Sequence, residues 1–167
     1  CSSDLADGKW LVYIETSGEH HSLWLKQVAV DGGSTRIMPP TEGFYTGVAI
    51  SPDGNYVYYS INEQRGLVGT LYQVPVLGGE SRKILTGILG PVTFSPDGKQ
   101  IAYFHWINDE DRLMVANADG TGQRQLATRS GNEYFINANN GPAWSPDGKT
   151  LFTTIGSYTP ALSMTVA

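Results

Sequence analysis

The stretch Ser51-Pro-Asp-Gly54-Asn-Tyr-Val-Tyr-Tyr-Ser60 decides the fold, because its pattern of a turn followed by an apolar run recurs along the chain. Ser95-Pro-Asp-Gly98 and Ser145-Pro-Asp-Gly148 repeat the turn, and Leu5-Ala-Asp-Gly8 is a divergent copy. Proline presets φ near −65°, aspartate bonds the local backbone and glycine accepts a positive φ. The aspartates are therefore expected to be structural, and the turn marks the start of each repeat.

The spacing of these turns, about 45 residues, predicts the architecture. A period of that length with several strand-like runs per repeat is typical of β-propeller blades, which are four-stranded antiparallel sheets. Within one repeat we expect strands at Tyr56–Ile61, Gly69–Val76, Ser81–Leu85 and Val92–Phe94. Runs such as Trp10–Ile14 and Tyr56–Tyr59 are apolar on both faces, as expected if each blade packs between two neighbours. The sequence predicts an all-β fold, a partial β-propeller of about three and a half four-stranded antiparallel blades.

The turns also set the expected boundaries. Residues 6–50 form a first blade, 51–94 a second, 95–144 a third and 145–167 the start of a fourth. Residues 1–5, Cys-Ser-Ser-Asp-Leu, match one reading frame of a sequencing-adapter end, so we expect them to be non-native. Because propellers close with four to eight blades, the expected partners include missing blades of the same chain.

Composition excludes several classes of partner. The 167 residues carry a net charge of −5, and the 11 Lys and Arg residues are scattered singly apart from the adjacent Arg82 and Lys83. No basic patch for nucleic acid or for an anionic membrane is therefore present, and no apolar run approaches the roughly 20 residues of a membrane-spanning helix. The single cysteine cannot form an intramolecular disulfide. We expect neither nucleic-acid binding nor direct membrane contact by this segment.

The chemistry-bearing motifs of common enzymes are missing from the sequence. No G-x-S-x-G elbow occurs, and Gly120-Thr-Gly122 lacks the third glycine and the following helix of a dinucleotide site. Asp109-Glu-Asp111 lacks the ligand pattern of a calcium loop, so it is expected to be a solvated hairpin tip. The sequence therefore predicts no catalytic residues, no cofactor and no metal.

Candidate binding residues come from the expected loops, since propeller loops gather at the two ends of the central channel and carry recognition. His20 and His21 are expected in a solvated loop without metal-ligand partners, and the irregular stretch Thr128–Gly141 interrupts the third repeat. The ligand is expected to be a protein or a small molecule. The candidates are His20, His21, Glu63, Arg65, Asp109, Glu110 and Tyr134.

Over nearly the whole chain, the Ser-Pro-Asp-Gly turns and the apolar strands that follow resemble the WD-like propeller repeat of the TolB family. Ser22–Val28, Gly69–Gly79 and Gly141–Gly148 further resemble bacterial regulators with a serine/threonine kinase or winged-helix DNA-binding domain beyond a transmembrane helix. The resemblance implies a non-catalytic sensor or protein-interaction module.

On this resemblance, the first expectation is the C-terminal regulatory part of a membrane-anchored bacterial serine/threonine protein kinase, on the extracytoplasmic, periplasmic side. Three alternatives stay open. They are a periplasmic TolB-like scaffold, the sensor domain of a winged-helix transcriptional regulator and the propeller domain of a serine peptidase.

Overall fold

The computed structural model describes residues 2–4, 10–28, 33–63, 66, 68–136 and 141–157. All regular elements in these ranges are β-strands, and no segment in them forms a helix long and apolar enough to cross a membrane. The strands are β1 (Ser2–Asp4), β2 (Trp10–Ser17), β3 (His20–Gln27), β4 (Thr35–Thr41), β5 (Phe44–Ile50), β6 (Tyr56–Asn62), β7 (Gly69–Pro75), β8 (Arg82–Phe94), β9 (Gln100–Ile107), β10 (Glu110–Asn117), β11 (Arg124–Ser130), β12 (Glu133–Phe135), β13 (Ala143–Trp144), β14 (Leu151–Phe152) and β15 (Ile155–Ser157).

The strands form antiparallel sheets in chain order. One sheet has the order β1-β2-β3-β4, and a seven-stranded sheet runs from β5 through β8 to β11. Strand β8 belongs to two groups, because residues 82–88 pair with β7 and residues 88–94 pair with β9. We therefore distinguish a first group (β1 to β4), a second group (β5, β6, β7 and the first half of β8) and a third group (the second half of β8, β9, β10 and β11).

The four-stranded groups are offset by one strand from the sequence repeats. Strand β5 precedes the Ser51 turn and pairs with β6, which follows it, so the turn lies inside an antiparallel pair. The same holds for the Ser95 turn between β8 and β9 and for the Ser145 turn between β13 and β14. Residues 2–4, inside the segment expected to be non-native, pair with β2 as the outermost strand of the first group.

Each pair of neighbouring groups shares its own apolar core. Val57, Tyr59 and Ile61 of β6 pack with the first group, whereas Tyr58 packs with residues of the third. Alternate residues of β6 thus face opposite neighbours, as predicted for the apolar run Tyr56–Tyr59. The groups are stacked through their faces rather than covered by a second layer.

Close packing of the inner strands joins the groups. A side chain on Gly47 of β5 would place its Cβ 2.3 Å from the Cα of Pro91 in β8. A Cβ on Gly141, four residues before Ser145 as Gly47 is before Ser51, would lie 2.9 Å from the Pro91 carbonyl oxygen. Glycine stands at both positions because a neighbouring backbone approaches closely there.

Two predicted segments differ in the structure. The expected strands Ser81–Leu85 and Val92–Phe94 are parts of one strand, β8, because Gly87 and Gly90 adopt positive φ angles and allow the chain to pass between groups without a loop. The stretch Thr128–Gly141 is not irregular throughout. Strand β11 extends to Ser130, and β12 pairs with β15, whereas residues 137–140 lie outside the described residues.

Candidate functional site

The turns collect at one end of the sheets, which we call the turn end. In all three, the serine hydroxyl donates to the aspartate Oδ1, at 2.5 Å from Ser51, 2.7 Å from Ser95 and 2.6 Å from Ser145. The same carboxylate oxygen accepts the backbone N–H two residues further on, at 3.1 Å in each turn. The turn glycines have φ angles of 74°, 72° and 70°. The three turns are therefore built alike.

These hydrogen bonds also fix the charge of the turn aspartates. Donation by the serine hydroxyl, followed by the backbone N–H, lowers the pKa of Asp53, Asp97 and Asp147 below the usual value. In each turn the aspartate Oδ1 accepts hydrogen bonds from within the turn, which agrees with the structural role expected from the sequence. Asp7, in the divergent first copy, lies outside the described residues.

The opposite end of the sheets, which we call the hairpin end, carries most of the predicted binding residues. It is formed by the connections β2–β3 (residues 18–19), β6–β7 (residues 63–68) and β9–β10 (residues 108–109). His20, Glu63 and Asp109 are exposed there and Glu110 is half-buried, whereas Arg65 lies outside the described residues. The topology thus brings these residues to the same end of three successive groups.

The two histidines differ from the solvated loop that was expected. Both lie in β3, and His21 is only 8% exposed. Its Nδ1 is 3.0 Å from Thr16 Oγ1, and its ring centroid is 4.7 Å from that of Phe44. A two-residue turn at Gly18 and Glu19 makes the loop shorter than predicted, so His21 falls at an inward-facing strand position.

The acidic cluster is also not a uniformly solvated tip. Asp109 is exposed, with a φ of 59°, and Glu110 accepts hydrogen bonds from Arg112 at 2.8 and 3.0 Å. Asp111, in contrast, is 2% exposed, and its Oδ2 accepts the Phe135 N–H at 2.8 Å. Because β10 begins at Glu110, the side chain of Asp111 points inward.

Tyr134 lies in a short strand pair, and Glu63 lies at the edge of a cleft. Tyr134 lies in β12 opposite Gly156 of β15 and is half-buried. Glu63 Oε1 is 3.5 Å from the Tyr72 hydroxyl and borders an open cleft of about 230 Å³ lined by Asn62, Val68 and Thr70 among others. In the described part of the chain, no three His, Cys, Asp or Glu side chains are grouped closely enough to hold a metal ion.

Sequence reasoning missed the apolar character of the hairpin end. Five large apolar side chains there are 37 to 44% exposed. They are Phe44, Val68, Trp106, Ile107 and Ile136. Which apolar residues reach solvent depends on where each strand ends, and the sequence pattern does not give those ends.

Comparisons with known proteins define the class of fold. No protein-family model matches the chain, and no curated protein matches it either. Among solved structures, a putative TolB from Agrobacterium tumefaciens superposes with a TM-score of 0.74 at 21% identity over 95% of this chain. These similarities confirm the predicted all-β, partial β-propeller fold.

Two further structures show how widely this fold is used. TolB from Acinetobacter baumannii superposes with a TM-score of 0.71 at 18% identity, over 97% of this chain. An oligogalacturonate lyase in complex with manganese superposes with a TM-score of 0.67 at 16% identity, over 88% of this chain. The chain spans 59%, 38% and 44% of the lengths of the three proteins, in the order given.

Proposed function

We propose that this chain is a non-catalytic protein-interaction module, a scaffold of the TolB kind, that binds a protein partner at its hairpin end. The observation that carries the proposal is the set of exposed apolar side chains at that end, among them Trp106 and Ile107, beside the charged Glu63, Asp109 and Glu110. Apolar groups with a polar rim are the usual composition of a protein-binding surface.

The turn end differs in the role of its polar side chains. At the turn end the serine hydroxyl and the aspartate Oδ1 bond to each other and to the local backbone in each of the three described turns, so these atoms serve the turn itself. The two TolB structures add a fold in common with proteins of that name. The lyase shows that propellers also host enzymes, so function has to be argued from the site and not from the fold.

The more specific functional expectations from the sequence, the kinase link, the winged-helix link and the location, have less support. The comparisons give no support to a link with a serine/threonine kinase or a winged-helix domain. We favour the TolB-like scaffold over both, and with it an extracytoplasmic location. A fusion to a reporter enzyme that is active only outside the cytoplasm tests the location.

Site-specific photo-crosslinking in intact cells tests the proposed surface. A photoreactive amino acid replaces Trp106 at the hairpin end or, as the matched control, Leu77, which is 78% exposed in the turn after β7 at the opposite end. We expect one discrete adduct with an envelope protein from position 106 and none from position 77. Equal labelling from both positions, or adducts from position 77 alone, contradicts the proposal.

A further inference from the structure

Strand β12 lies across the hairpin end of the third group and is anchored there by Phe135. The Phe135 ring is 1% exposed and stacks on Phe104, with a centroid distance of 5.3 Å and an interplanar angle of 17°. Leu89 and Leu113 complete the buried cluster around it. The anchor is thus one aromatic side chain inserted into a pocket that the third group supplies.

Asp111 holds the main chain of β12 but is itself incompletely paired. Its Oδ2 accepts the Phe135 N–H at 2.8 Å, whereas its buried Oδ1 has no hydrogen-bond partner. Burial raises the pKa of Asp111, and the bond from Phe135 only partly offsets that effect. An unpaired buried carboxylate oxygen costs free energy, so this position is not explained by stability.

Arg129 is the second incompletely paired group, and it lies directly opposite Asp111 in the β10–β11 pair. Its guanidinium carbon is 5.4 Å from the Phe135 ring centroid, and its Nε is 3.3 Å from Glu133 Oε2. That distance makes an ion pair, but the buried N–H does not point at the carboxylate and makes no hydrogen bond. Arg129 Nη1 donates to the Thr128 carbonyl oxygen at 2.7 Å, so the guanidinium is partly paired, and its contacts with β12 are one ion pair and one ring contact.

The residues that carry these two atoms have opposite charges and lie opposite each other in the β10–β11 pair. Directly opposed residues of an antiparallel pair project from the same face, with Cβ atoms about 5 Å apart. If β12 leaves, Arg129 is free to turn from Glu133 to Asp111 and to satisfy both groups with one ion pair. Strand β12 has three residues, and in the described part of the chain its partner strand is β15, with one further backbone hydrogen bond from Ile136 to Thr154. The free-energy cost of releasing β12 is therefore partly offset by the ion pair between Asp111 and Arg129.

We propose that β12 is a releasable strap, and that the groove beneath it docks an extended segment of a protein partner that carries a carboxylate two residues before an aromatic side chain. The groove consists of Asp111, Arg129, Phe104, Leu89 and Leu113. Asp111 accepts a main-chain N–H of the partner, Arg129 binds its carboxylate, and the apolar pocket takes its ring. This inference rests on the proposed function of the hairpin end and names the chemistry of the partner.

A fluorescent peptide with the sequence of residues 131–136, Gly-Asn-Glu-Tyr-Phe-Ile, tests the groove by anisotropy against the full chain. The variant Glu133→Gln weakens the strap without changing the groove, and an exposed ion pair of this kind is worth roughly 0.2–1 kcal/mol. We expect it to bind the peptide about threefold more tightly than the wild type does. Phe135→Ala, which empties the apolar pocket, serves as a second strap variant.

Matched controls distinguish sequence-specific binding of the peptide from non-specific binding. A peptide with Gln in place of Glu and one with Ser in place of Phe are expected to bind severalfold more weakly, and Arg129→Gln should abolish the preference for Glu over Gln. No gain in either strap variant, or an unchanged Glu preference in Arg129→Gln, overturns the proposal. A dimer of the chain at the binding concentration also overturns it, because the occupant is then a second copy.

The two proposals fail separately. A discrete adduct from position 106 without peptide binding contradicts the strap proposal but supports the proposed function of the hairpin end. Peptide binding without any adduct supports the groove and contradicts the wider surface.

Discussion

The turn end and the hairpin end of this molecule are built on the same strands but follow different rules. At the turn end, three copies of one turn repeat the same hydrogen bonds to within 0.2 Å. At the hairpin end, the corresponding third strands present His21 against Phe44 in one group and Asp111 against Phe135 in another. Repetition marks what the fold needs, and the divergent hairpin end is where we place the proposed binding role.

The inner strands support both ends, so a change there is expected to have the largest effect. In Gly47→Ala the new Cβ meets the Pro91 backbone, and overpacking of this kind costs on the order of 3 kcal/mol. The control is Gly33→Ala, where a Cβ meets nothing within 4 Å. Urea unfolding followed by circular dichroism measures both. Equal stabilities would mean that the groups are not packed through their inner strands.

A serine from each end sharpens the comparison. Ser95 is buried, donates to Asp97 and accepts the Gln100 N–H at 3.0 Å. Ser95→Ala leaves these groups unpaired and should lower the free energy of unfolding by about 2 kcal/mol. Ser17→Ala, at the exposed end of β2, should change it by less than about 0.5 kcal/mol. A larger loss of unfolding free energy in Ser17→Ala than in Ser95→Ala would contradict the view that the turn end is the structural part of the repeat.

The buried carboxylate of the hairpin end should show itself in a pH dependence. Because the pKa of Asp111 is raised in the folded chain, its protonated form favours folding, and that contribution is lost as the pH rises through the folded pKa. Asp111→Asn removes the charge, so its gain in Tm over the wild type should be larger at pH 7 than at pH 4. Calorimetry at both values checks this, and a gain that shrinks with rising pH contradicts it.

The smallest effect is expected at the Glu110–Arg112 ion pair. Both side chains are partly exposed, and the atoms are 2.8 Å apart. Arg112→Gln should change the free energy of unfolding by less than about 0.5 kcal/mol, because solvent screens such pairs. A loss above 1 kcal/mol, measured by the same urea titration, would show that the hairpin end also carries part of the scaffold.

The sequence was informative about the scaffold for a physical reason. A turn such as Ser95-Pro-Asp-Gly98 is a local structure, since its hydrogen bonds join residues within five positions of each other. The apolar faces of β6 are likewise readable from its own residues. Strand β8 was predicted as two pieces because its continuity depends on pairing with both β7 and β9, which no local pattern encodes.

The candidate site was less predictable, because its features depend on contacts between distant segments. Asp111 became important only through Phe135, 24 residues away, and Arg129 only through its position opposite Asp111. His21 looked like a loop residue until the short turn placed it inside β3. The residues named from the sequence include His20, Glu63 and Asp109 at the hairpin end, but not Asp111 or Arg129, on which the proposed strap rests.

Hydrogen exchange resolved to single amides tests the contrast between the two ends most directly. The amides of Ser51 and Ser95 donate to Tyr56 and Gln100 at 2.9 Å, and that of Phe135 donates to Asp111 at 2.8 Å, so static geometry predicts similar protection. Our account predicts that Phe135 exchanges far faster, through local opening of β12, while the two turn amides exchange together and slowly. Protection of Phe135 equal to that of the turns would contradict it.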